Sequence, residues 1–169
     1  MEKVPGVDMS TGSLGQGLSI ANGMAIASKM DNLGCRVYCI LGDGEIEEGQ
    51  IWEAAMSAAQ YKLDNLCLIV DNNNLQIDGT IEEVMSSYPI DDKFKSFGFN
   101  VITINGHDFI QILQAFEEAK NCKDKPTAII AKTIKGKGIT FMENQVGWHG
   151  KAPSQQEYEQ AIKELEREN

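Results

Sequence analysis

Val37-Tyr38-Cys39-Ile40-Leu41-Gly42-Asp43-Gly44 decides how the rest of the chain is read. Its first five residues are apolar, aromatic or β-branched, a run too short for a buried helix, and the two glycines end it in a turn. A continuous apolar run of this kind is a strand covered on both faces, as in a parallel sheet. From Glu47 to Tyr61 the pattern changes to that of a helix, with Ile51, Trp52, Ala55, Met56 and Ala59 on one side. Leu66 to Val70 is a second buried strand, ending at Asp71-Asn72-Asn73-Asn74. Strand, helix, strand is the repeating unit of an α/β fold.

Working outward, Asn100 to Ile104 and Thr127 to Thr133 read as two further strands. Between them Asp108, with Gln111, caps a helix expected to turn Ile112, Leu113 and Phe116 inward. Ser154 and Glu157 form a capping box that opens a last helix, rich in Glu and Lys and expected on the surface. Upstream, Leu14 to Met30 reads as a helix of small residues containing Gly15, Gly17 and Gly23. A helical glycine costs roughly 1 kcal/mol relative to alanine. Close backbone approach to a ligand or to another helix is the use expected of these three. The expected fold is α/β, a mainly parallel sheet with helices on both faces, in a single domain over residues 1–169.

The chain carries 15 Lys and Arg against 25 Asp and Glu, a formal net charge of −10 over 169 residues. Such a chain repels nucleic acid and anionic lipid, so neither is an expected partner. It also repels a phosphorylated ligand unless a metal ion or backbone amides intervene. Cys35, Cys39, Cys67 and Cys122 form no C-x-x-C pair and there are only 2 histidines, which argues against zinc. The cysteines read as reduced thiols buried in apolar surroundings. The opening residues lack the apolar segment of a signal peptide, and no apolar run has the length of a membrane span. The expectation is a soluble, cytoplasmic protein.

Asp43 and Asn73 stand 30 positions apart, each just after a strand. Parallel strands joined by a helix point the same way, so both residues open onto the sheet edge where α/β proteins bind ligands. One carboxylate and one amide oxygen suit Mg²⁺, which takes few protein ligands and fills its shell with phosphate and water. Gly42 and Gly44 let the backbone turn close to an anion. The helix after Gly44 is expected to aim its free N–H groups at the crevice. Glu45, Glu47 and Glu48 favour that dipole but would repel a diphosphate, so at least one must point away or serve another role.

Gly42-Asp43-Gly44, followed after a helix by Asp71-Asn72-Asn73-Asn74, resembles the thiamine diphosphate motif. More narrowly, the chain is similar to the N-terminal part of transketolases. The stretch Gly6-Val7-Asp8-Met9-Ser10-Thr11-Gly12-Ser13-Leu14-Gly15-Gln16-Gly17 carries the likeness, with Leu75-Gln76-Ile77-Asp78-Gly79, Lys132-Thr133-Ile134-Lys135-Gly136-Lys137-Gly138 and Trp148-His149-Gly150. The resemblance implies that Asp43, Asn73 and the Leu75 carbonyl hold Mg²⁺. It implies that Gly44 and Asn73 contact the diphosphate, with Gly12, Ser13 and Leu14 along the cofactor. His149 would be the catalytic residue, reaching both diphosphate and sugar substrate. Glu48 matches a glutamate at the family's subunit interface. His107, in Asn105-Gly106-His107-Asp108, reads as a turn into a helix cap.

The likeness also implies what this sequence lacks. The family's opening segment, with histidines in Gly-His contexts, has no counterpart here, so the domain reads as incomplete at its N-terminus and is expected to expose apolar surface. The pyrimidine-binding domain is absent too. A second polypeptide carrying it is the expected partner, in a homo- or hetero-oligomer acting on sugar phosphates. Other readings are a deoxyxylulose-phosphate synthase, a dihydroxyacetone synthase, or a non-catalytic interaction module. A nicotinamide-binding domain is disfavoured, because Gly12, Gly15 and Gly17 have the wrong spacing and no strand precedes them.

Overall fold

The computed structural model describes residues 4–166. Four strands make one parallel sheet: β1 (Val37–Gly42), β2 (Leu66–Asn72), β5 (Asn100–Asn105) and β6 (Thr127–Lys132), in spatial order β1-β2-β6-β5. A two-stranded antiparallel hairpin, β3 (Leu75–Gln76) with β4 (Gly79–Thr80), follows the Asn run. Its two-residue turn, Ile77-Asp78, leads into Gly79. The sequence reading missed this hairpin, because strands of two residues show no periodicity.

Helices cover both faces, as expected. On one side α1 (Gln16–Met30), α2 (Gly49–Gln60) and α4 (Ile90–Ser96) enclose the larger core, which includes Leu18, Leu41, Ile51, Leu68, Phe94 and Ile130. Trp52 stacks beside Phe97 and Phe94, with ring centroids 5.4 and 5.1 Å away. Each fully buried Leu, Ile or Phe contributes roughly 1.5–3 kcal/mol. On the other side α5 (Phe109–Asn121) packs Ala115 and Ala119 over Cys67, Ile104 and Ile129. The remaining helices are the four-residue α3 (Ile81–Val84) and the C-terminal α6 (Gln155–Leu165).

Several boundaries differ from the sequence expectation. The helix expected from Glu47 begins at Gly49, because Glu48 is extended (φ −65°, ψ 126°) and separates α2 from a short 3₁₀ turn at Glu45–Glu47. Met56 is 55% exposed and Leu113 66% exposed, so neither faces the core. Ala54 and Ala58 take the buried places on α2 and Ala115 and Ala119 those on α5, since small residues let the helices sit close to the sheet. Asp108 does cap α5, accepting from the Ile110 and Gln111 amides. The Ser154–Glu157 capping box is also present, and a second one, Thr80–Glu83, opens α3.

The helix cover stops short of β1 on the α5 side. Tyr38 is 51% exposed and Ile40 74% exposed on that strand. Tyr38 meets the Phe116 ring there, edge-on at 5.5 Å. Cys39 and Cys67 are buried, and burial pushes both thiols up to about 11. Cys35 is exposed, contrary to the reading of the cysteines as buried, while all four are free thiols. No described helix is long and apolar enough to cross a membrane.

Candidate functional site

The parallel register sets Gly42 opposite Asp71, and Asn72 opposite Lys132. The C-terminal ends of β1, β2 and β6 therefore share one edge, and a crevice of about 340 Å³ opens there. Asp43, Gly44, Asn73, Leu75, Leu14 and His149 all line it. These are six of the eight site residues the sequence singled out, brought together from four separate segments. Gly12 and Ser13 do not line it; both are exposed in the irregular stretch before α1.

Asp43 is buried, with its carboxylate held by neutral donors alone. The Gly44 amide donates to Oδ1 at 3.0 Å, while the Asn74 amide at 2.6 Å and the Asn72 side chain at 2.9 Å donate to Oδ2. Burial raises its carboxyl above the ordinary range, and these hydrogen bonds pull the other way. A buried carboxylate that finds donors but no cation has affinity to spare for one. Asn73 is held as well: its Oδ1 accepts from the Leu75 amide at 3.0 Å and its Nδ2 donates to Asp71 at 3.3 Å. Asp71 is steadied in turn by the Thr133 hydroxyl.

The glutamates after Gly44 all line the crevice, and two of them are engaged in its walls. Glu45 clips two loops together. Its Oε1 accepts from the Gly15 amide at 3.0 Å and its Oε2 from the Gly42 amide at 3.1 Å. Glu47 accepts from Gln76 at 2.9 Å. Gly15, at φ 82°, supplies the close approach expected of the glycine-rich helix, since a β-carbon there would stand 2.9 Å from Glu48 Cβ. Gly23 needs no such explanation, with open space around it. The amides expected to project from a long helix after Gly44 belong instead to a single 3₁₀ turn, so the α2 dipole begins five residues later.

Three contributors were not legible beforehand. Lys135 lines the crevice among carboxylates, on a turn closed at Gly136 and Gly138 and tied down by Glu143. Its neighbourhood in the sequence, a Lys-Gly-Lys-Gly run, was the available signal. Asn72 lies beneath Asp43, and Glu45 clips the two glycine loops. Asn72 meets Asp43 across 29 positions of sequence, and Glu45 meets Gly15 across 30. His107 is outside the crevice lining; it accepts from the Ile134 amide at 2.8 Å and so braces the Lys135 turn.

Among the described residues no three His, Cys, Asp or Glu side chains converge as a metal cluster. A cation here would take Asp43, an amide oxygen and a backbone carbonyl, and complete its shell from phosphate and water, as Mg²⁺ does. The donor set fits thiamine diphosphate held through that ion.

The family model described as "Transketolase, thiamine diphosphate binding domain" matches residues 1–168. A subunit of the apulose-4-phosphate transketolase of Phocaeicola vulgatus is 45% identical over 163 residues, covering 96% of this chain and 58% of that protein. The 6-deoxy-6-sulfo-D-fructose transketolase subunit SqwG of a Clostridium species is 46% identical over 168 residues, covering 99% and 61%. The crystal structure of Campylobacter jejuni transketolase superposes with a TM-score of 0.88 at 38% identity, over 95% of this chain and 26% of that one. The chain thus spans about three fifths of these subunit-type relatives.

Proposed function

The chain belongs to the transketolase thiamine-diphosphate-binding domain family, and from that premise we propose that its crevice binds the diphosphate of thiamine diphosphate through Mg²⁺. The observation that carries this is the meeting of Asp43 and Asn73, from the ends of adjacent parallel strands, with Gly44, Leu75 and Leu14 around one cavity. Asp43, Asn73 and the Leu75 carbonyl would hold the ion. Gly44 and Lys135 would meet the phosphates, the first by its backbone and the second by its charge. The six carboxylates lining the crevice make a cation obligatory for such a ligand.

The proposed reaction is transfer of a two-carbon ketol unit between sugar phosphates, with this chain as one subunit. The carbanion chemistry is the cofactor's, and the protein orients and sets the field. Within this chain, Leu14 contributes apolar surface to the cavity wall. His149, exposed at the cavity mouth, would donate hydrogen bonds to diphosphate and sugar substrate. The aminopyrimidine end of the cofactor would rest on a second polypeptide. Exposed Tyr38 and Ile40 on β1 support a partner or a further segment covering that face.

The test is calorimetric titration of thiamine diphosphate into the purified chain, with and without Mg²⁺, beside Asp43→Ala. Saturable binding that requires Mg²⁺ and disappears in the variant is expected. A folded wild-type chain that binds nothing, or binds equally without Mg²⁺, would overturn the reading.

A further inference from the structure

Asn72 is a member of the Asn run that no ligand role uses, yet every polar atom of its side chain is engaged. It is buried; its Nδ2 donates to Asp43 Oδ2 at 2.9 Å and to the Tyr88 hydroxyl at 2.8 Å. Its Oδ1 accepts from Lys132 Nζ. A carboxamide can be turned over with almost no change of shape, because its oxygen and nitrogen are nearly the same size. Turned over, it would set a carbonyl oxygen against the Asp43 carboxylate, and the side-chain hydrogen bond to Asp43 would become a repulsion. The Tyr88 hydroxyl cannot choose between the two states, since it both donates and accepts. An ammonium can, because it has three donors and no acceptor.

We propose that Lys132 is a positioning residue for the metal–diphosphate site, locking the Asn72 amide in the one orientation that presents N–H to Asp43. Its placement fits that role and no direct one. Lys132 does not line the ligand crevice; it borders a separate cavity of about 170 Å³ with Tyr88, Thr103 and Asp91. The Tyr88 ring lies 5.3 Å from the ammonium and confines it. Strand order makes the arrangement possible, because β6 lies directly beside β2 and pairs Lys132 with Asn72 across the sheet. The control reaches Asp43 from behind, leaving its crevice side to the ion.

This inference rests on the proposed site, and two readouts separate the two. In the ligand-free chain, the Asn74 and Gly44 amides that donate to Asp43 report its setting by their NMR shifts and hydrogen exchange. In the loaded chain, Mg²⁺-dependent thiamine diphosphate binding reports the consequence. Lys132→Met is expected to lower the melting temperature modestly, because it leaves the buried Asn72 Oδ1 without its donor, while the chain stays folded. It is expected to shift both amides and to weaken Mg²⁺ binding roughly 10- to 100-fold, the usual effect of removing a residue that orients a metal ligand. Lys132→Arg, which keeps the donors, restores both. In an Asn72→Ala background Lys132→Met adds nothing further, as required of a residue acting through Asn72. Unmoved amides in Lys132→Met, no rescue by arginine, or full additivity with Asn72→Ala would each overturn the inference. If wild type fails to bind while the amides respond as expected, the ligand assignment falls and the positioning of Asp43 by Lys132 stands.

Discussion

Glu45 offers a sharp test of how the site is assembled. Glu45→Gln preserves shape but replaces one carboxylate oxygen with an NH₂ group. The two oxygens now accept from Gly15 and Gly42, so either orientation of the amide sets a donor against a backbone N–H. One charge-assisted bond is lost and one part-buried amide is stranded, which together cost about 2–3 kcal/mol. Removing a negative charge from an acidic neighbourhood returns a few tenths, about what an exposed pair is worth. The net loss of about 2 kcal/mol, with a urea m-value of about 2 kcal/mol/M for a chain of this size, lowers the unfolding midpoint by about 1 M. The loss has a location as well. The exposed stretch before α1, residues 5–14, is released with Leu14 and becomes open to limited proteolysis. If Glu45 were merely a partner for the turn's dipole, the loss would be about 0.3–1 kcal/mol with no change in proteolysis. A midpoint within a few tenths molar of wild type and an unchanged cleavage pattern would refute the clip.

Two further outcomes follow from the same geometry. Burial holds the Asp43 carboxyl above its ordinary value, so its contribution to the fold is complete below the unfolded pKa of about 3.9 and declines as pH rises through the folded value. The metal-free wild type should therefore lose stability relative to Asp43→Asn as pH rises above about 4, measured by urea unfolding; a flat or opposite trend would show that the three donors outweigh burial. Gly136 has φ +74° and a β-carbon there would stand 2.7 Å from Met142. Gly136→Ala should cost about 2–4 kcal/mol from strain and overpacking together and displace Lys135, whereas Gly23→Ala, in open space within α1, should gain up to about 1 kcal/mol. Thermal melts of the pair decide it, and equal effects would contradict the packing described.

Much of the site was legible because its marks are local. The strand ends at Gly42-Asp43-Gly44 and at the Asn run are written in consecutive residues, and the length between them is that of one strand–helix–strand unit. That alone sends Asp43 and Asn73 to one edge. The caps at Asp108 and Ser154 were legible for the same reason, since a cap and its partner lie within one turn. Met56 and Leu113 were misplaced because periodicity shows which side of a helix is apolar, not how much of that side a neighbour covers.

The sequence by itself determined the α/β class, the strand ends that carry the site and the ligand chemistry those residues can perform, because each depends on residues close together in the chain. Only the tertiary structure decided the strand order, with β6 inserted between β2 and β5. Strands buried on both faces are apolar throughout, so nothing in their composition names their neighbours. From that order came the pairing of Lys132 with Asn72, and from the packing of α1 beside the Gly-Asp-Gly turn came the Glu45 clip. Partners 30 and 60 positions apart in sequence meet because the sheet and its helices bring them together, and no local pattern records that meeting.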